Sequence, residues 1–158
     1  MTAKERVLTR ERERGKQAAL DVANKLIAGE INATQLIEVE DSIPDWNELS
    51  VYGTDLIGCP VKDNGQVYTI LQAHTPANNP GYRPADLPAI YSIKHTQNPK
   101  QAKAFIAPNG TSGAYMQNDC TVDNGHVYRS NYNGYNVWRP TDYAAFWDDL
   151  GTVEEVQS

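Results

Sequence analysis

The chain has 158 residues, 40% of them hydrophobic and 22% charged, with a formal net charge of −6 at pH 7. That is room for one ordinary domain or two very small ones, in a composition too apolar for wholesale disorder. No run approaches the roughly 20 apolar residues of a membrane span, and the negative charge gives no general reason to bind nucleic acid.

The opening Met1-Thr2-Ala3-Lys4-Glu5-Arg6 leads into charge rather than an apolar stretch, so no signal peptide is expected and synthesis is expected in the cytoplasm. Residues 1–28 hold seven Lys/Arg against four Asp/Glu, whereas residues 29–158 hold seven against sixteen and carry all nine Tyr and all three Trp. Two kinds of structure are joined here. Thr2 to Glu5 fits a capping box. Glu5, Glu11 and Glu13 alternate with Arg6, Arg10, Arg12 and Arg14, which suits a solvated or protein-contacting helix face. Ala18, Ala19, Val22, Ala23, Leu26 and Ile27 form one apolar stripe at helical spacing, suited to packing on another helix, including one from a second copy. Gly29 marks its stop. Asn32-Ala33-Thr34-Gln35 caps a short helix through Leu36, Ile37 and Val39, which Pro44 ends. Residues 1–45 are thus expected to be a helical segment.

An internal repeat organises the rest. Asp63-Asn64-Gly65-Gln66-Val67-Tyr68 recurs as Asp123-Asn124-Gly125-His126-Val127-Tyr128. Asn-Gly favours a type I′ turn, so each copy reads as a β-hairpin. Tyr82-Arg83-Pro84 is matched by Trp138-Arg139-Pro140, and Tyr91 by Trp147. Val61 and Val122 do not align without a gap, so the strands before the two turns are expected to differ in length. Tyr52, Tyr68, Tyr115 and Tyr128 recur at matched places and are expected in the interior. Trp138, Tyr132 and Tyr135 fall in a loop among Asn131, Asn133, Gly134 and Asn136, where no periodicity would bury them. Flat rings beside amides suit carbohydrate, stacking on its C–H face while Asn136 and Arg139 bond hydroxyls. Tyr82 is the matching ring of the first copy.

Tyr115, Asp119, Asn124-Gly125, Val127-Tyr128, Ser130, Asn136, Trp138, Pro140 and Trp147 together resemble the chitin-binding type 3 modules, also called family five/twelve carbohydrate-binding modules. The first copy, with Leu71-Gln72-Ala73-His74-Thr75 after its strand, is similar to a variant found in bacteriophage and prophage proteins. In those a short helical N-terminus leads into one or two modules, as Ile43-Pro44-Asp45-Trp46 does here. The resemblance covers residues 46–148. It departs from the family at Thr54 and Asn118, where Gly usually precedes the Asp, at Tyr82, where Trp is usual, and in the extra segment Leu56–Pro60. The second copy is therefore expected to be the better binder.

The resemblance implies an α+β chain: the N-terminal helical segment, then two small antiparallel three-stranded β modules at 46–95 and 108–150, joined by a linker at 96–107. It implies a polysaccharide or cell-wall glycan as ligand, bound without catalysis, and a virion or tail component that helps adsorb to the host. Residues 1–45 would then contact other virion proteins, and the chain would form a homo-oligomer. No cofactor, nucleic acid or membrane partner is expected. The alternative is a structural virion protein whose β modules serve only protein contacts.

Other motifs carry less. His74, His95 and His126 lack metal-ligand spacing. Asp148-Asp149 and Glu154-Glu155 read as a solvated acidic tail, and Asp55 and Asp119 as turn-capping carboxylates. Cys59 and Cys120 fall near matching places and are expected to be packed thiols.

Overall fold

A computed structural model describes residues 2–4, 6, 17 and 20–158. The cap at Thr2–Glu5, the charge alternation through Arg14 and the start of the stripe at Ala18–Ala19 lie wholly or partly outside those residues. Residues 20–27 form helix α1. It ends in a Schellman arrangement, with Gly29 at φ 74° while Glu30 N donates to Lys25 O (2.8 Å) and Gly29 N to Leu26 O (3.2 Å). Asn32 then opens helix α2 (Ala33–Glu38) through a reciprocal capping box with Gln35. Val39 caps α2, and a single 3-10 turn, Glu40–Ser42, follows. The helix therefore stops before Pro44 is reached.

The fold is α+β with two sheets. Strands β1 (Pro60–Asp63), β2 (Gln66–Ile70) and β3 (Tyr91–Lys94) form an antiparallel sheet. Strands β4 (Lys103–Ala104), β5 (Cys120–Asp123), β6 (His126–Ser130) and β7 (Trp147–Thr152) form a mixed one. The two hairpin turns match in φ: Asn64 and Asn124 both have 49°, and Gly65 and Gly125 have 77° and 76°. Both central residues of a type I′ turn need positive φ, which Asn and Gly tolerate best.

Four expectations about the sheets and their bounds need correction. The strands before the turns have the same length, since Val61 pairs with Tyr68 as Thr121 pairs with Tyr128. Val122 lies on the opposite face, so the apparent gap is a change of face. The second sheet is not purely antiparallel. Residues 96–107 are no free linker but supply β4, parallel to β5, with Thr121 Oγ1 donating to Lys103 O at 2.9 Å. The second half also runs past residue 150, through β7 into helix α3 (Val153–Gln157). Its Gln157 amide donates to the carbonyls of Pro99 and Ala102 at 3.1 Å each.

Each sheet buries both faces. Tyr52, Val61, Tyr68, Ile70 and Tyr91 cluster on one side of the first sheet. Val67, fully buried on the other, lies under Leu36, Ile37 and Ile43, with Val22 and Leu26 beside them. Val127 is its counterpart in the second sheet, but the cover there is Val153 and Val156 of α3. Burying an aliphatic side chain of this kind contributes roughly 1.5–3 kcal/mol, so each hairpin depends on helices outside it. Tyr52, Tyr68 and Tyr115 are buried as expected, whereas Tyr128 is half-buried. Both cysteines are buried. Their places do not match, because Cys120 pairs with Arg129 as Pro60 pairs with Thr69.

The halves touch directly. Gln66 Nε2 donates to Ala104 O at 2.8 Å, and Gln97 N donates to Thr34 Oγ1 at 2.9 Å. Lys103 pairs with Glu40. His95, just after β3, stacks on Tyr115 with ring centroids 3.7 Å apart. Tyr115 stacks in turn on Phe105, and the Arg139 guanidinium lies over the Phe105 ring, 5.4 Å from its centroid.

Candidate functional site

The loop from β6 to β7 is fixed from below by polar contacts. At its base Asn136 is fully buried. Its Nδ2 donates to Ser130 Oγ (3.0 Å) and Phe146 O (3.2 Å), and its Oδ1 accepts from Trp138 N (3.3 Å). The Asn136 backbone also pairs with Tyr115. Asn136 was expected to meet ligand; its burial gives it no access to one, because its hydrogen-bonding capacity is spent inside the loop.

Arg139 has a similar task. Its Nε donates to Asp123 Oδ1 at 3.0 Å. Thr141 Oγ1 donates to the other oxygen of that carboxylate at 2.9 Å. Asp123 is the residue before the Asn-Gly turn, so a loop residue and the hairpin lock each other. The same clamp joins Arg83 to Asp63 through two hydrogen bonds, with the guanidinium 5.0 Å from the Trp46 ring. Trp147, buried, donates its indole N–H to Trp138 O at 2.9 Å.

These anchors present a cluster of rings at the surface. Trp138 packs edge-on against Tyr132 (5.6 Å) and Phe146 (5.0 Å), and Tyr143 lies 5.9 Å away at an inclination of 38°. Tyr132 and Tyr143 each lie 4.4 Å from Phe146, which forms the floor. Trp138 remains 38% exposed, Tyr143 45% and Tyr135 56%. Tyr135 stands in the same loop, outside these ring contacts. The structure thus brings together Trp138 and Tyr132 among the expected residues. It adds Tyr143 and Phe146, which sequence reasoning missed although Tyr143-Ala144-Ala145-Phe146-Trp147 is dense in aromatics.

The first half does not repeat this surface. Leu71 N donates to Ile90 O as Asn131 N donates to Phe146 O, which sets Ile90 in the place of Phe146 and Gln72 in that of Tyr132. Counting four residues on from Arg83 and Arg139 sets Leu87 opposite Tyr143. Tyr82 is 55% exposed but has no ring neighbour among the described residues. His74 pairs with Tyr52 as Asn136 pairs with Tyr115. Its Nδ1 lies 2.7 Å from Gln72 O, which can only accept, so Nδ1 carries a proton, and Nε2 is hydrogen-bonded to the Tyr91 hydroxyl. Tyr91 in turn accepts from Trp46 Nε1 at 2.7 Å.

The carboxylates near the rings have partners. Asp148 accepts from Asn131 Nδ2 at 2.9 Å. Asp149 accepts from His126 Nδ1 (3.0 Å) and Gly151 N (2.9 Å), and these bonds, His126 first, hold it below its ordinary range. All four acidic residues are exposed as expected, but they lie in no tail: Asp148 and Asp149 belong to β7, and Glu154 and Glu155 open α3. Asp119 is pushed up to about 6 by burial, against a bond from Met116 N at 2.8 Å. Burial lowers His95 to about 4. Among the described residues no three His, Cys, Asp or Glu are grouped to hold a metal ion, and no helix is long and apolar enough to cross a membrane. No known family matches the chain, and no curated protein does either.

Proposed function

We propose that the chain is a non-catalytic polysaccharide-binding protein built from two copies of one β module, with the ligand face on the second. The carrying observation is the Trp138–Tyr143 surface, whose rings stay open to water while Asn136, Trp147 and the Asp123–Arg139 clamp fix the backbone beneath them. Aromatic faces left exposed on a rigid support suit the apolar face of a sugar ring. Asn131 and Asp148 beside them offer donors and acceptors for hydroxyls. The resemblance to chitin-binding type 3 modules supports the same ligand class. It also supports a role in a bacteriophage particle, attached through residues 1–45 to other virion proteins and touching a cell-surface glycan. Oligomerisation would multiply weak sites into useful avidity.

A second reading rests on the first half, where Gln72, Leu87 and Ile90 stand in the places of Tyr132, Tyr143 and Phe146 and Leu71 is exposed beside them. That chemistry suits contact with another virion protein. The test is retention of full-length protein on insoluble chitin, cellulose and peptidoglycan. Trp138→Ala is expected to weaken retention about tenfold, or ~1.4 kcal/mol, with Tyr82→Ala leaving it unchanged. Wild-type protein that no polymer retains would overturn the glycan reading and favour the structural one.

A further inference from the structure

Four Asn-Gly steps occur in the chain, at Asn64, Asn109, Asn124 and Asn133. Such a step is open to attack of the glycine backbone nitrogen on the asparagine Cγ, because glycine has no Cβ in the way. All four asparagines are exposed, so exposure does not rank them. Backbone restraint does. Attack requires rotation about the asparagine Cα–C bond to swing the next nitrogen onto the side chain. At Asn64 and Asn124 that rotation would break the type I′ turn, which is closed on either side by the pairs Asp63–Gln66 and Asp123–His126. Asn109 exchanges hydrogen bonds of 3.0 Å with Ser112 through both its N–H and its C=O.

Asn133 is held by nothing comparable. Loop residues 132–135 make no backbone hydrogen bond among the described residues; the flanking ties are at Asn131, to Phe146, and at Asn136, to Tyr115. Gly134 sits at φ 139°, a backbone conformation that L side chains rarely adopt. The other asparagines of this loop are protected. Asn131 is bonded to Asp148 and precedes a bulky Tyr, and Asn136 is buried.

We propose that Asn133 is a site of spontaneous deamidation, placed within the aromatic surface. Gly134 N loses its proton and forms a bond to Asn133 Cγ, the Cγ–Nδ2 bond breaks, and the Nδ2 amide takes up a proton and leaves as ammonia. Water then opens the resulting succinimide at either carbonyl, giving aspartate or isoaspartate. The net change is amide plus water to acid plus ammonia, with no oxidant or reductant. The product puts a negative charge between Tyr132 and Tyr135, and isoaspartate also adds a methylene to the backbone that carries them. The effect on ligand retention rests on the proposed function; the modification does not.

Full-length protein aged in mildly alkaline buffer, cut with trypsin and sequenced by mass spectrometry decides it. Asn133 is expected to convert several-fold faster than Asn64, Asn109 or Asn124, with both acids present, and Asn133→Gln is expected to leave that peptide unchanged. Conversion at any other Asn-Gly step as fast as at Asn133, or none at Asn133, overturns the proposal. Unaged Asn133→Asp reads the binding consequence separately. Absent retention by unmodified protein would defeat the glycan reading and leave the mass result standing.

Discussion

Single side chains in this protein divide between those that face water and those that hold them there. Asn136 belongs to the second kind. Replacing it with Ala removes the partner of the Ser130 hydroxyl and of Trp138 N, while Phe146 O keeps only its bond from Asn131 N. A loss of about 2–3 kcal/mol in urea unfolding is expected, together with weaker polysaccharide retention. His95 and Asp119 yield a second expectation. The folded pKa of His95, about 4, lies below the unfolded value near 6.5. Its neutral form is favoured on folding, and stability is lost as pH falls through that interval, by up to ~3 kcal/mol. Asp119 runs the other way. With a folded value of about 6 against 3.8, the native state takes up its proton first, and stability rises as pH falls through the same window, by up to ~3 kcal/mol. The two offset each other, so wild-type stability should be nearly flat from pH 6 to 4. Asp119→Asn should expose a steep acid loss and His95→Gln a gain on acidification, both read from urea midpoints.

Between residue and molecule stands the clamp that ties each Arg-Pro loop to its hairpin. Asp63 and Asp123 are buried while the guanidiniums they hold are half-exposed. Asp→Ala at either place is expected to cost about 1–3 kcal/mol. Only Asp123→Ala should also reduce polysaccharide retention, because Arg139 adjoins Trp138 whereas Arg83 adjoins the solitary Tyr82. The hairpins were legible in the sequence because Asn-Gly fixes a local dihedral pattern that needs no tertiary help. The caps at Asn32 and Gly29 were legible for the same reason. Strand β4 was not. Lys103-Ala104 has no strand pattern of its own and pairs because Thr121 and the Val122 backbone meet it from a distant part of the chain. The site was half legible. Rings in a polar loop signalled Trp138 and Tyr132. The inward turn of Asn136 and the tethering of Arg139 depended on Ser130 and Asp123, partners that a linear pattern does not reveal.

Across the whole molecule, each hairpin takes its cover from the nearer end of the chain. Removing residues 153–158 would uncover Val127 and Cys120, now 0% and 2% exposed. A loss of about 2–4 kcal/mol is expected, with Cys120 becoming reactive to a thiol reagent well before Cys59. The stretch 96–107 serves both halves at once. It lends β4 to the second sheet, while Gln101 Nε2 reaches back to Ile37 O at 3.4 Å and Lys103 to Glu40. No cut between the halves is therefore clean. A gene fragment encoding only the ring-bearing portion from residue 108 would arrive without a neighbouring strand, and the remainder would lose braces on its helices. Recombination that shuffles such units between genomes would have to carry both together, from the first helix to the last.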